Sequence, residues 1–170
     1  MVNFFSSVFT QENYDGPDIN IESNSVPLMP KLNFSIADIE NKLIKLKLDK
    51  APGADDLHPR ILFELRSVIP YPLKLIFETS LKSGKLPEIW KTGIVTAFFK
   101  TGSKSDIGNY RPISLTSVVC KIFESLIRDH IMQHLLTNNM MSSKQYGFMK
   151  GRSTSLQLLH TLDKCNLYCF

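Results

Sequence analysis

Apolar positions follow no sustained period over residues 11–33, where Asn, Ser, Pro and acidic residues dominate, so that stretch reads as a linker. Helical spacing starts after Ser35, a residue suited to cap a helix with Asp38 in its first turn. Ile36, Ile39, Leu43 and Leu46 recur at that spacing, and the helix is expected to run to about Asp49. Pro52-Gly53 cannot continue it, so Lys50 to Asp56 is a loop. Pro59 fits the first turn of a second helix with Ile61, Leu62, Leu65 and Ile69 on one face. A third helix is expected after Pro72, carrying Leu73, Ile76, Phe77 and Leu81, with Gly84 as its stop.

The pattern then changes period. Gly93 to Lys100 is β-branched and aromatic, Thr101-Gly102-Ser103 makes a turn, and Tyr110 to Leu115 is the returning strand. From Thr116 a long helix is expected over 116–136, with Val119, Ile122, Phe123, Leu126, Ile127, Ile131 and Leu135 as its apolar set. A last helix begins near Ser153 with Leu156, Leu159 and Leu162. Helices, one hairpin and two further helices make an α+β arrangement with no internal repeat.

Charge sharpens this picture. Residues 1–30 hold four acids and no Lys or Arg, whereas the rest carries all 20 basic residues against 12 acids, a net of +8. Residues 91–152 alone hold nine basic residues against three acids. A local basic excess suits a polyanion such as nucleic acid, although proteins without that partner share it. No apolar run approaches a membrane span, and the first ten residues lack the pattern of a signal peptide. Cys120, Cys165 and Cys169 are an odd number, which fits a reduced intracellular protein, nuclear or cytoplasmic. Cys165/Cys169 and His130/His134 are each four apart, but neither pair has a partner pair at zinc-finger spacing. Both read as helix positions.

Three blocks carry the candidate chemistry. Lys100 and Arg111, at facing ends of the expected hairpin, are placed to share one space, with Lys104 in the loop between them. A lysine offers a point charge, and an arginine offers a planar fork that grips two phosphate oxygens. In Gln145-Tyr146-Gly147-Phe148-Met149-Lys150-Gly151-Arg152-Ser153-Thr154, Gly147 and Gly151 permit close approach or positive φ beside a helix start, and Lys150 and Arg152 add charge. Tyr146 and Phe148 are expected to pack on the core rather than stack on a base. In Lys50-Ala51-Pro52-Gly53-Ala54-Asp55-Asp56, the adjacent carboxylates read as turn and cap residues, not as a metal pair, and Lys50 is a further candidate contact.

These blocks, with Asn109-Tyr110-Arg111-Pro112-Ile113-Ser114-Leu115 and Leu86-Pro87-Glu88-Ile89-Trp90-Lys91, occur in the order found in reverse transcriptases of non-LTR retrotransposons. The chain resembles the jockey and CR1-like members of that family over about residues 34–160. Three departures stand out: Ala97 in place of a usual Pro, Thr101 in place of a second Lys, and Asp56 in place of Gly.

The resemblance implies the helix-rich fingers of a right-hand polymerase, with the hairpin as fingertip and the palm truncated. It implies incoming-nucleotide contacts for Lys100 and Arg111 and template contacts for Gly147, Lys150, Gly151 and Arg152. Lys50 and Lys104 are weaker nucleic-acid candidates. The implied partners are an RNA template, a DNA primer and a dNTP, with Mg²⁺ as the cofactor of the complete parent enzyme and no metal in this chain. Residues 1–33 resemble the connector that follows an endonuclease domain, so the chain is expected to begin after it. It is likewise expected to stop before the catalytic aspartates, to be inactive alone, and to expose an apolar face that meets the missing palm. Two other readings remain: a non-catalytic nucleic-acid-binding module, and an interaction protein that uses helix 116–136.

Overall fold

A computed structural model describes residues 1–7 and 27–168. It divides into two compact units, Met1–His130 and Ile131–Phe170. Most of the expected linker lies outside the described residues. Its described part, residues 27–33, is neither helix nor strand, and Val2–Ser7 forms a short helix, α1.

Helix α2 spans Ile36–Ile44 and begins as the sequence requires. Ser35 Oγ accepts from the Asp38 amide, and Asp38 accepts from the Ser35 amide in return, a reciprocal cap that satisfies two end amides. Both hydrogen bonds from Ser35, side chain first, hold the Asp38 carboxyl below its ordinary value. The helix stops five residues before the expected Asp49. Leu46 N–H bonds back to Leu43 O, a tighter last turn that lets the half-buried Leu46 pack on the core and sends the chain toward the loop at Gly53.

Helix α3, Pro59–Glu64, has Pro59 at its first position. Its cap is His58, whose ring nitrogen accepts from the Arg60 amide at 3.2 Å, so neither Asp55 nor Asp56 caps it as expected. The helix is too short to use its whole apolar set: Leu62 is buried, whereas Ile61 and Leu65 face solvent. Helix α4, Pro70–Ser83, starts two residues before Pro72, because Pro70 takes the first turn where no N–H is needed. Gly84 ends it in the left-handed conformation, φ 66°.

After a 3-10 turn at Glu88–Lys91, strands β1 (Gly93–Phe99) and β2 (Tyr110–Thr116) pair antiparallel, from Gly93 opposite Thr116 to Phe99 opposite Tyr110. Helix α5 spans Val118–Thr137, two residues later than expected because β2 continues to Thr116. The core of the first unit is an aromatic cluster. Phe77 stacks on Phe123 with centroids 4.8 Å apart, and Trp90 and Phe34 close around them. Val118, Val119, Ile122 and Leu126 of α5 are buried in the same cluster. This half of α5 therefore has no apolar face left for another protein, whereas Ile131 and Leu136 of its second half are exposed.

In the second unit, α6 spans Thr154–Tyr168, and Ser153 Oγ accepts from the Leu156 amide at its start. Leu156, Leu159 and Leu162, the apolar set of this helix, are each about half exposed or more. In the first unit Ile94, Val95, Phe98 and Ile113 of the hairpin are exposed too. No helix among the described residues is long and apolar enough to cross a membrane.

Candidate nucleic-acid interface

The hairpin is held by the residues of its own motif. Asp106 accepts from the Gly108 amide at 2.9 Å and starts a 3-10 turn at Ile107–Asn109. The Asn109 amide group donates to Ser103 O, and Tyr110 OH donates to Lys104 O, both at 3.0 Å. Gly102, at φ 92°, lies so close to Asn109 that an added Cβ would stand 2.6 Å from its Nδ2. Asn109 and Tyr110 are thus loop-shaping residues, and the Arg111 side chain takes no part in holding the loop.

Arg111 sits directly opposite Phe98, and the ladder continues one step through the Lys100 amide, which donates to Asn109 O at 2.9 Å. Residues two apart share a face, so Lys100, Phe98 and Arg111 lie on one side of the ribbon, with Lys100 diagonal to Arg111. Both cations are exposed, and neither side chain has a hydrogen-bond or ion-pair partner among the described residues. Lys104 is elsewhere: its ammonium stands 5.9 Å from the centroid of Phe99, whose side chain points to the face opposite Phe98.

The base of the hairpin is anchored by the Pro52–Asp56 loop. Gly53 is buried, and a Cβ there would lie 2.5 Å from backbone atoms of Thr116 and Ser117, so only glycine permits this approach. Asp55 accepts from the fully buried Ser117 hydroxyl at 2.5 Å, and the same hydroxyl accepts from the Cys120 amide at the start of α5. Asp56 has φ 55°. A short polar side chain tolerates this conformation better than most. Neither Gly53 nor the Asp55–Ser117 bond was identifiable as an anchor beforehand, since the partner is 62 positions away.

Within the second unit, the Gln145–Thr154 block is a compact loop. Arg152 donates to the carbonyls of Ser143 and Gln145 at 2.7 and 2.6 Å, and its guanidinium stands 5.4 Å from the Tyr146 centroid. Tyr146 OH and His160 Nδ1 are 2.6 Å apart. The left-handed positions are Phe148 and Gly151, φ 60° and 77°, not Gly147. Phe148 is fully exposed at 106%, against the expectation that it packs, because that turn points it outward. Lys150 is exposed with no partner among the described residues.

Among the described residues, no three His, Cys, Asp or Glu side chains come together. Burial, reinforced by Glu124, pushes the Cys120 thiol up to about 11, so it stays protonated. His130 and His134 lie on α5, and Cys165 is on α6; Cys169 is outside the described residues. Lys50 pairs with Asp49 at 3.6 Å on the surface.

Residues 100–170 match the reverse transcriptase (RNA-dependent DNA polymerase) family. The chain is 32% identical over 139 residues to the RNA-directed DNA polymerase from mobile element jockey of Drosophila melanogaster, covering 81% of this chain and 15% of that protein. It is 30% identical over 138 residues to the probable RNA-directed DNA polymerase from transposon X-element, covering 80% and 15%. To the corresponding protein of transposon BS it is 29% identical over 161 residues, covering 94% and 17%; both come from the same fly. The chain belongs to the reverse transcriptase family of non-LTR retrotransposons. It spans about a sixth of the length of these curated relatives.

Proposed function

We propose that this chain is the fingers portion of an RNA-directed DNA polymerase and that its hairpin receives the triphosphate of the incoming nucleotide. The observation that carries this reading is the placement of Lys100 and Arg111 on one face of the ribbon, diagonal to each other and both unpartnered. A fork and a point charge together offset the charge of a polyphosphate and orient it. Lys150, on the exposed loop of the second unit, is the template contact. Arg152 serves that contact by holding the loop shape through Ser143 and Gln145, and Gly151 supplies the turn.

The divalent metal that the family implies for a complete enzyme finds no ligand set here. Among the described residues no three His, Cys, Asp or Glu side chains come together. In this reading the part played by the chain is binding and orientation, and it does not extend a primer alone.

Equilibrium binding of a fluorescent dNTP to the 170-residue chain tests the reading. Salt-sensitive binding is expected, weakened about tenfold, or about 1.4 kcal/mol, in K100A/R111A. Equal binding by wild type and the double variant would remove the nucleotide role. Extension of a primed RNA template by the purified chain with Mg²⁺ would overturn its inactivity alone.

A further inference from the structure

Of the serines and threonines in this chain, only Ser35 and Ser103 have an acid three positions further on, Asp38 and Asp106. Both serines are exposed, yet their oxygens have opposite surroundings. Asp38 turns back on Ser35, and its carboxylate accepts the hydroxyl at 2.7 Å, so further negative charge there is repelled. Asp106 turns away from Ser103 and accepts from the Gly108 amide. Ser103 Oγ meets donors instead: the Ser105 amide donates to it at 3.4 Å, and the Ser105 hydroxyl oxygen is 2.7 Å away. The loop around it is held through the Ser103 carbonyl, which accepts from the Asp106 amide at 3.2 Å and from Asn109 Nδ2 at 3.0 Å. A group added to the hydroxyl leaves both of those bonds in place.

We propose that Ser103 is a phosphorylation site and that phosphate there closes the hairpin face to the incoming nucleotide. The donor is ATP, used by a serine/threonine kinase that reads an acid three positions beyond its target. A bond forms between Ser103 Oγ and the γ-phosphorus, and the bond from that phosphorus to the bridging oxygen breaks. ADP leaves with the electron pair, and the hydroxyl proton passes to the kinase's base. The new group carries about −1.5 to −2 charges at pH 7 and three acceptor oxygens. The Ser105 amide and hydroxyl already point at its place. Lys100 lies three residues before Ser103, at most about 11 Å along the chain. That is close to the Debye length of about 8 Å at physiological salt, before the reach of the lysine side chain is counted. Asn109 joins the two sides, since its carbonyl accepts from the Lys100 amide and its side chain holds Ser103 O. Lys100 and Arg111, exposed and without partners among the described residues, are the cations that a phosphate on this loop attracts. Being tethered, it acts at an effective concentration on the order of millimolar. The regulation rests on the nucleotide reading above; the modification rests on the loop.

The site is tested by incubating the full chain with ATP and a purified acidophilic serine/threonine kinase and mapping the product by mass spectrometry. Label is expected on Ser103 and not on Ser35, and S103A is expected to lose it. Absence of label on Ser103, or label on Ser35 in preference to it, overturns the site. The consequence is tested with chain carrying phosphorylated Ser103, introduced by genetic code expansion. It is expected to bind the fluorescent dNTP about tenfold more weakly than the unmodified chain. In a K100A/R111A background the phosphate is expected to change binding by less than about twofold. Equal weakening in both backgrounds overturns the regulation. The ³¹P resonance of the phosphate, followed against pH, keeps this apart from the nucleotide reading. Pairing with the two cations lowers its second ionisation in the wild-type background relative to K100A/R111A, whether or not a dNTP binds. A lowered ionisation in a chain that binds no dNTP refutes the nucleotide role and keeps the phosphate contact. The same ionisation in both backgrounds, with dNTP binding intact, refutes the contact and keeps the nucleotide role.

Discussion

Arg111 and Arg152 sit in two motif blocks of the same chain, and the structure uses them in opposite ways. Arg111 stands on a hairpin whose shape is set by Asn109, Tyr110, Asp106 and Gly102, so its guanidinium is not needed for the fold and remains free. Arg152 stands in a loop that its own side chain helps to close, with Nη1 donating to the carbonyls of Ser143 and Gln145. The two loops thus differ in what satisfies their backbone: neighbouring side chains around Arg111, and in part the arginine itself at Arg152.

The most damaging way to break that contrast is to loosen the hairpin's anchor. Gly53→Ala places a methyl group 2.5 Å from the backbone of Thr116 and Ser117, where no side chain can move aside. A loss of about 3 kcal/mol is expected in urea unfolding, with dNTP binding lost alongside. Next is Arg152→Ala, which removes two charge-assisted bonds. The loop is expected to lose about 2 kcal/mol, read as faster amide exchange over residues 143–152. Arg111→Ala is the matching control. It should change stability by no more than about 0.5 kcal/mol while weakening nucleotide binding, and equal destabilisation by the two arginine variants would erase the distinction.

A smaller effect separates the two regions through their backbones. Asp56 and Phe148 both hold positive φ without being glycine. Phe148→Gly is expected to gain up to about 1 kcal/mol, since a bulky residue is strained there. Asp56→Gly should stay within about 0.5 kcal/mol, because Asp tolerates the conformation and glycine adds unfolded-state entropy. Thermal melts of the two variants give the comparison directly.

The smallest effect is acid sensitivity confined to the first unit. Desolvation alone would raise Asp129, but bonds from Lys42 and Arg128 outweigh it, and Asp38 is lowered by Ser35. Carboxyls lowered in the folded state contribute fully above the unfolded value of about 4 and lose that contribution as pH falls through the lowered folded value. Melting temperature should therefore begin to drop below about pH 4, and D38N/D129N should flatten that drop. An unchanged acid limb in the double variant would show that these carboxyls do not stabilise the fold.

Legibility in the sequence followed the reach of each interaction. The Ser35–Asp38 cap, the Gly84 stop and the face shared by Lys100 and Arg111 depend on neighbours within a turn or on strand alternation, and all could be read from residue type and spacing. The family was legible for the same reason, since its motifs are short and contiguous. The end of α2 at Ile44 was not, because packing of Leu46 and the route to Gly53 outweighed helix propensity over 45–49. The cap of α3 was misassigned because His58 holds the place that Asp more often fills. Leu156, Leu159 and Leu162 have helical periodicity, yet periodicity only says that one face is apolar and not that anything covers it.

By itself the sequence determined the order and type of most elements, the basic hairpin, and membership of the reverse transcriptase family, because those rest on local hydrogen bonding and on contiguous motifs. Tertiary structure alone decided that Gly53 must be glycine, that Asp55 ties the loop to Ser117, and that Arg152 is a brace while Arg111 is free. Each of these joins groups dozens of positions apart or turns on which carbonyls a loop leaves unpaired, and residue spacing along a chain does not encode either.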